Sequence, residues 1–152
     1  MIQEEKIIIE EMRADDLKEV VRIEEVSFSD SWSCNMFKAE LSNPVSHPWV
    51  ARSISGELVG YICFWVLEGE AHVLNLAVHP SYRQKGIGSR LITTSLDYWK
   101  RAGVENAYLE VRESNEVARR LYERFGFRLI TRRSKYYRNP KEDAWVMGLE
   151  II

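Results

Sequence analysis

The chain has 152 residues, 45% of them hydrophobic and 29% charged, a balance that suits one globular domain, 1–152, able to bury a core without disulfides or metals. No apolar run approaches the roughly 20 residues of a membrane span. The start Met1-Ile2-Gln3-Glu4-Glu5 has neither the basic n-region nor the apolar h-region of a leader, so a cytoplasmic location and no membrane partner are the expectations.

Net charge is −2 but unevenly spread: residues 1–82 carry 6 Lys+Arg against 14 Asp+Glu, and residues 83–152 carry 15 against 9. A basic second half suits a polyanionic small ligand, and an acidic first half could attract a cationic acceptor, although solvated helix faces give the same tally. Cys34 and Cys63 match no Cys-x-x-Cys pattern and read as buried thiols. His47, His72 and His79 form no metal-ligand spacing, so no metal is expected.

In chain order, Lys6-Ile7-Ile8-Ile9-Glu10-Glu11-Met12 predicts a short β-branched strand. Asp15 or Asp16 then caps a helix in which Leu17, Val20, Val21 and Ile23 recur at helical spacing, ending near Ser27. Phe28-Ser29-Asp30-Ser31-Trp32 has turn chemistry, and Ser33 caps a second short helix carrying Phe37 and Leu41. Asn43-Pro44 and His47-Pro48 forbid its continuation.

From Trp49 the period becomes two. Strands at 49–53 and 58–67 flank Ser55-Gly56-Glu57, a hairpin signal, and Glu68-Gly69-Glu70 turns the chain into a third strand at 71–78. The next helix buries Ile87, Leu91, Ile92 and Leu96 and stops at Gly103. Ala107-Tyr108-Leu109-Glu110-Val111 is a strand reached by a helical crossover, hence parallel to its partner. A fourth helix follows Asn115 and closes at Gly126, and strands at 127–131 and 144–149 are separated by the breaker Arg138-Asn139-Pro140-Lys141. The sum is an α+β (α/β sandwich) fold, a mixed sheet of about seven strands with about four helices on its two faces.

The stretch from Val78 to Ile92 holds the chemistry. Between Arg83 and Gly88 lie two glycines and two cations, followed by a helix start whose free N–H groups and dipole favour an anion. A Walker A loop fails, because Lys85 precedes Gly86 and no hydroxyl follows correctly. A dinucleotide fingerprint fails too, because its third glycine position is Leu91. A basic turn bracketed by glycines and a phosphate-binding loop both remain open at this point.

The spacing Arg83-x-x-Gly86-x-Gly88 after a strand ending Asn75-Leu76-Ala77-Val78 resembles the acetyl-CoA pyrophosphate loop of the GNAT (GCN5-related N-acetyltransferase) superfamily. Leu109-Glu110-Val111-Arg112-x-Ser114-Asn115, Ala118-x-x-Leu121-Tyr122-x-x-Phe125-Gly126-Phe127, Arg132-Arg133-x-x-Tyr136-Tyr137 and Glu142-Asp143-Ala144 extend the likeness to the bacterial branch of ribosomal-protein-alanine N-acetyltransferases, over nearly the whole chain. The resemblance implies the GNAT fold and direct acetyl transfer from acetyl-CoA to a protein α-amino group, with a ribosomal-protein N-terminus as acceptor. It implies no direct nucleic-acid partner, and a monomer or weak dimer. Another protein N-terminus, a lysine, a small amine, or a non-catalytic acyl-CoA-binding module are the alternatives.

By the same resemblance, the pantetheine arm lies where the fourth and fifth strands splay, with Leu76, Ala77 and Val78 offering main chain and a bulge near Leu76 opening the gap. Arg83, Gln84, Lys85, Gly86, Ile87, Gly88 and Ser89 form the pyrophosphate loop, and Asn115 doubles as helix cap and cofactor contact. Glu110 matches the base, on the expectation that partial burial raises its proton affinity, although strand alternation alone makes it a polar-face residue. Tyr122 matches the acid that protonates the leaving thiolate, although its helical spacing also fits core packing. Trp32, Tyr136, Tyr137 and Glu142 are the candidates for an acceptor groove.

Overall fold

The computed structural model describes residues 6–151; the stretch 1–5, read above for a leader, lies outside them. The elements are β1 (Ile7–Glu11), a 3-10 turn (Ala14–Asp16), α1 (Leu17–Ser27), α2 (Cys34–Ser42), β2 (Ser46–Ser53), β3 (Leu58–Leu67), β4 (Glu70–Val78), a second 3-10 turn (Pro80–Tyr82), α3 (Ile87–Arg101), β5 (Asn106–Arg112), α4 (Glu116–Arg124), β6 (Arg128–Arg138) and β7 (Lys141–Glu150). The seven strands form one mixed sheet in the order β1-β2-β3-β4-β5-β7-β6. Only the β4–β5 pair is parallel, as the crossover through α3 requires.

Local chemistry accounts for most element ends. The Ser33 hydroxyl accepts the Met36 N–H at 3.2 Å and starts α2, and the Asn115 side chain accepts the Ala118 N–H at 3.2 Å and starts α4. Gly103, at φ +77°, takes the left-handed position after the C-cap of α3. Asp16 departs from the expected cap: its carboxylate accepts the Arg13 N–H at 2.8 Å and pairs with Arg52, so it fastens the start of α1 to β2. β2 begins three residues before Trp49. The last two strands run well past their apolar cores into a long hairpin turning at Asn139-Pro140, because main-chain pairing continues where the side chains are exposed.

Two apolar layers sandwich the sheet. On one face Ile87, Leu91, Ile92 and Trp99 of α3 and Tyr122 of α4 bury against Phe64, Val73, Leu109 and Val111. On the other, Leu17, Val20 and Ile23 of α1 and Phe37 of α2 cover Val50, Tyr61 and Cys63. Area removed from water on these two faces is the main stabilising contribution.

The layers part at one place. β4 and β5 pair only from Glu70 to Val73 and from Asn106 to Leu109. Beyond that, Cys63 faces Asn75 while Phe64 faces Val73, so Leu74 is an extra residue and β4 bulges. β3 holds β4 out to Val78, and β7 holds β5 out to Arg112, so the two halves of the sheet diverge into a wedge. The bulge sits at Leu74, two residues before Leu76, and the splay is where the resemblance implies it.

Candidate active site

The wedge holds about 150 Å³ of open space, with Val73 and Leu109 among its lining residues. Glu110 and Arg112 enter it from β5, Tyr122 from α4, and Glu24 and Trp32 from the α1–α2 face. Alternation along β5 explains the meeting of the two layers. Leu109 and Val111 pack with Tyr122, so Glu110 projects from the opposite face. Glu110 and Tyr122 therefore reach one opening from opposite sides of the sheet.

Glu110 is bonded to a residue that the sequence did not flag. His72 Nε2 lies 2.6 Å from Glu110 Oε2. This bond outweighs burial and, with the charge of Arg133, holds the Glu110 carboxyl below its ordinary value. The expectation that burial raises its proton affinity is thus overturned: Glu110 is a stable carboxylate at neutral pH. Tyr122 behaves in the opposite way. Burial, reinforced by Tyr137, pushes its phenol well above 10, so it keeps its proton. Its ring is fixed by an edge contact to Phe127, with centroids 5.7 Å apart.

Glu24 is a carboxylate that sequence reading missed. It is 1% exposed, accepts the Trp32 N–H at 2.9 Å and Asn75 Nδ2 at 2.5 Å, and takes the Tyr61 hydroxyl. Desolvation raises its pKa despite these donors. A signal was available: Glu24 follows Val20 by four and so falls on the buried stripe of α1.

The α3 end of the site is a chain of turns rather than two freely flexing glycines. Gln84 (φ +63°) and Gly86 (φ +79°) are left-handed, a pattern that aims successive amides outward. Gly86 is the N-cap and has no side chain to satisfy the first amides of α3. Ile87 is buried, and Gly88 is inside the helix, where an added Cβ would lie 3.1 Å from Leu121 Cδ2. Arg83 turns back, its Nε donating to the Val78 carbonyl at 3.1 Å and its guanidinium also to Ser27 Oγ at 3.1 Å. Lys85 lies 5.1 Å from the Tyr82 ring centroid. Leu76 is the register partner of Ile62, yet its N–H is bonded to Asn75 Oδ1 at 3.1 Å and it lines the wedge.

Of the acceptor candidates, Trp32 and Tyr137 line the wedge. Tyr136 does not: alternation turns it outward, 46% exposed and beside Arg133. Glu142 is committed to the rim, accepting the Ser114 N–H at 2.6 Å and Arg112 at 3.2 Å. Arg112 gathers that rim, binding Asp30 at 2.8 Å and the Asn139 and Pro140 carbonyls while lying 4.3 Å from the Tyr137 ring centroid. It thereby joins the α1–α2 loop to the β6–β7 turn.

A family model described as the acetyltransferase (GNAT) family matches residues 17–127. The chain belongs to that family. The N-alpha-acetyltransferase RimI of Mycobacterium tuberculosis H37Rv is 40% identical, covering 78% of this chain and 75% of its own. The ribosomal protein bS18-alanine N-acetyltransferase of Escherichia coli K12 is 31% identical over 94% of this chain and 97% of its own. The crystal structure of the ribosomal-protein-S18-alanine N-acetyltransferase from Escherichia coli matches with a TM-score of 0.88 at 30% identity, covering 96% of this chain and 94% of that one. As a GNAT acetyltransferase the chain uses acetyl-CoA as acyl donor. No described helix is long and apolar enough to cross a membrane.

Proposed function

We propose that this GNAT acetyltransferase, acting as one domain over residues 1–152, acetylates the N-terminal alanine of a small-subunit ribosomal protein, the reaction for which its Escherichia coli relative is named. The observation that carries the reading is the wedge itself, lined by Glu110, whose carboxyl is held below its ordinary pKa, and Tyr122, whose phenol is pushed above its own.

Acetyl-CoA supplies the activated acetyl thioester. The residues that would hold it are the main chain of Leu76, Ala77 and Val78 at the bulged strand edge, the turn Arg83, Gln84, Lys85 and Gly86, and the uncapped amides of Ile87, Gly88 and Ser89. Anion binding by unpaired helix amides supports that assignment, as does the wedge-facing position of Leu76 and Asn115.

The nucleophile is an α-amine, with an ordinary pKa of about 7.7–8.0 against about 10.4 for lysine. A modest base suffices, and Glu110 fits as the group that first accepts the ammonium proton. Tyr122, protonated throughout the working range, donates to the sulfur as the C–S bond breaks. Trp32 and Tyr137 wall the acceptor side, and Glu142 fixes its rim through Arg112 and Ser114.

Incubation with acetyl-CoA and two peptides, one beginning with alanine and one N-blocked with an internal lysine, tests the proposal by mass spectrometry. A 42 Da gain at the α-amine of the first alone is expected, the mass of one acetyl replacing hydrogen at about 42 Da. Preferential labelling of lysine would transfer the protein to another acceptor class, and acetyl-CoA binding without transfer to any amine would make it a binding module.

A further inference from the structure

Helices α1 and α2 cover only part of their face of the sheet. Alternation puts Trp65 of β3, His72 of β4, Tyr108 and Glu110 of β5 and Gly148 of β7 on that face, because Phe64, Val73, Leu109 and Met147 belong to the opposite apolar layer. None of the five is part of the layer that α1 and α2 bury. Ile130, the extra residue of a β6 bulge and 57% exposed, lies over Gly148: an added Cβ there would collide with Ile130 Cδ1 and sit 3.3 Å from Tyr108 Cδ1. A strip of side chains from Trp65 to Ile130 is thus left open beside the wedge. We propose that this strip is the docking track for the acceptor polypeptide downstream of its reacting amine, and that it selects a basic segment there. This inference rests on the reading of the wedge as the place where an α-amine is acetylated.

Cross-strand register orders the strip into rows. Glu110 stands at the wedge. Two residues back along β5 comes the row Trp65, His72 and Tyr108, and two further back the row Glu70, Asn106 and Glu150. A rise of about 3.3 Å per residue places the last row about 13 Å from Glu110, so an extended acceptor with its amine at Glu110 arrives there with about its fourth or fifth residue. The opposite direction along β5 is bridged. Arg112 binds Asp30 and the Asn139 and Pro140 carbonyls, and Ser29 Oγ donates to the Asn139 carbonyl at 2.5 Å.

Charge complementarity identifies the occupant. Glu70 and Glu150 are exposed, and neither forms an ion pair with a described residue. Glu68 and Glu105, also exposed, stand at the same end of the sheet, where the Glu105 N–H donates to the Gly69 carbonyl at 2.7 Å. The arginines that share this face by register lie elsewhere, Arg112 in the bridge and Arg128 and Arg133 on β6. A basic chain is therefore drawn over β4 and β5 and turned away from β6. On the way it crosses Trp65 and Tyr108. The Trp65 indole is fixed by its N–H, which donates to Glu40 at 2.6 Å. Arginine suits such a path, because a guanidinium stacks on an aromatic face and pairs with a carboxylate. Proteins that bind RNA carry clustered cations, so a ribosomal acceptor fits.

Three decapeptides test the track, all beginning with alanine and differing only in residues four and five, Arg-Arg, Gln-Gln or Glu-Glu. A tripeptide amide beginning with alanine is too short to reach the last row. Arginine is used because its side chain stays charged and is not an acetyl acceptor. The Arg-Arg peptide should exceed Gln-Gln in kcat/KM by about twofold to tenfold, the size of two exposed ion pairs, with Glu-Glu slowest. The difference should lie in KM, since the contact is the same in ground and transition states, and should shrink as ionic strength rises. Glu70→Lys combined with Glu150→Lys should reverse the order while acetylating the tripeptide as fast as the wild type, which also reports an intact fold. Equal rates for the three decapeptides, a faster Glu-Glu peptide, or a double variant that keeps the wild-type order overturns the track alone, provided the tripeptide is acetylated. If no peptide gains acetyl at its α-amine, the acetylation reading itself falls and takes the track with it.

Discussion

The Glu24 carboxylate and the Asn75 side-chain amide meet at 2.5 Å, joining helix α1 to the strand whose bulge opens the wedge. Because Glu24 also takes the Trp32 N–H and the Tyr61 hydroxyl, one buried side chain sets the acceptor loop, the sheet and the splay relative to one another. Glu24→Ala strands three donors. An unsatisfied buried group costs about 1–3 kcal/mol, so even with relaxation a loss of about 3 kcal/mol is expected, read as a lower melting temperature. KM for the acceptor peptide should rise more than KM for acetyl-CoA, since the Trp32 loop is what loosens. Glu24→Gln, which keeps an accepting oxygen, should fall between the two.

Two of the wedge carboxylates, Glu110 and Glu24, pull stability in opposite directions with pH. Glu110 is depressed below its ordinary 4.5, so its contribution is full above that value and is lost as pH falls through the folded pKa. Glu24 is raised above 4.5, so its contribution is full below that value and is lost as pH rises through the folded pKa. Melting curves taken from pH 3.5 upward should therefore show a shallower acid loss in Glu110→Gln. In Glu24→Gln the decline on the rising side should be the part that flattens.

Turnover has a different pH control. Because Glu110 is already ionised at neutral pH, the ammonium form of the acceptor limits kcat/KM. With an α-amine pKa of about 7.7–8.0, the rate should rise nearly tenfold per pH unit below 7 and level off near 8. A plateau reached by pH 5 would place control in the carboxylate instead. Glu110→Gln should reduce kcat by about a hundredfold or more at pH 7, with coenzyme A affinity unchanged.

Tyr122→Phe deletes one oxygen while leaving the ring against Phe127. Stability should change by less than about 1 kcal/mol, the size of a typical single hydrogen bond. Turnover should fall about tenfold to a hundredfold, with the affinity for acetyl-CoA held, and an unchanged kcat would assign the residue to packing.

Gly86 and Gly88 answer to different constraints, and alanine distinguishes them. At Gly86 a Cβ meets nothing within 4 Å, but φ is +79°, a left-handed conformation that costs an L-residue about 1–2 kcal/mol. Gly86→Ala should lower the melting temperature and weaken coenzyme A binding, both measurable by calorimetry. At Gly88 the gain in helix propensity of about 1 kcal/mol opposes a 3.1 Å approach to the flexible end of Leu121, so Gly88→Ala should be close to neutral in stability.

Much of this architecture is legible along the chain because it depends on neighbours in sequence. The caps at Ser33 and Asn115, the stop at Gly103 and the period-two runs of β3 and β4 are local preferences, and the structure keeps them. The resemblance carried the splay between β4 and β5 and the pairing of Glu110 with Tyr122 in one cleft. Where local reasoning failed, a distant partner intervened: Asp16 turned to Arg52 instead of capping α1, and Tyr136 alternated away from the wedge that Tyr137 enters.

The sequence alone determined the order of elements, because periodicity, capping and turn chemistry act over a few residues, and its resemblance to the family's motifs pointed to the two residues proposed for acid–base work. Tertiary structure alone decided their ionisation and company. Contact between His72 and Glu110 spans 38 positions, and that between Glu24 and Asn75 spans 51. A pKa follows from burial and from the charges that folding brings near, so no reading along the chain could give the direction in which Glu110 and Glu24 shift.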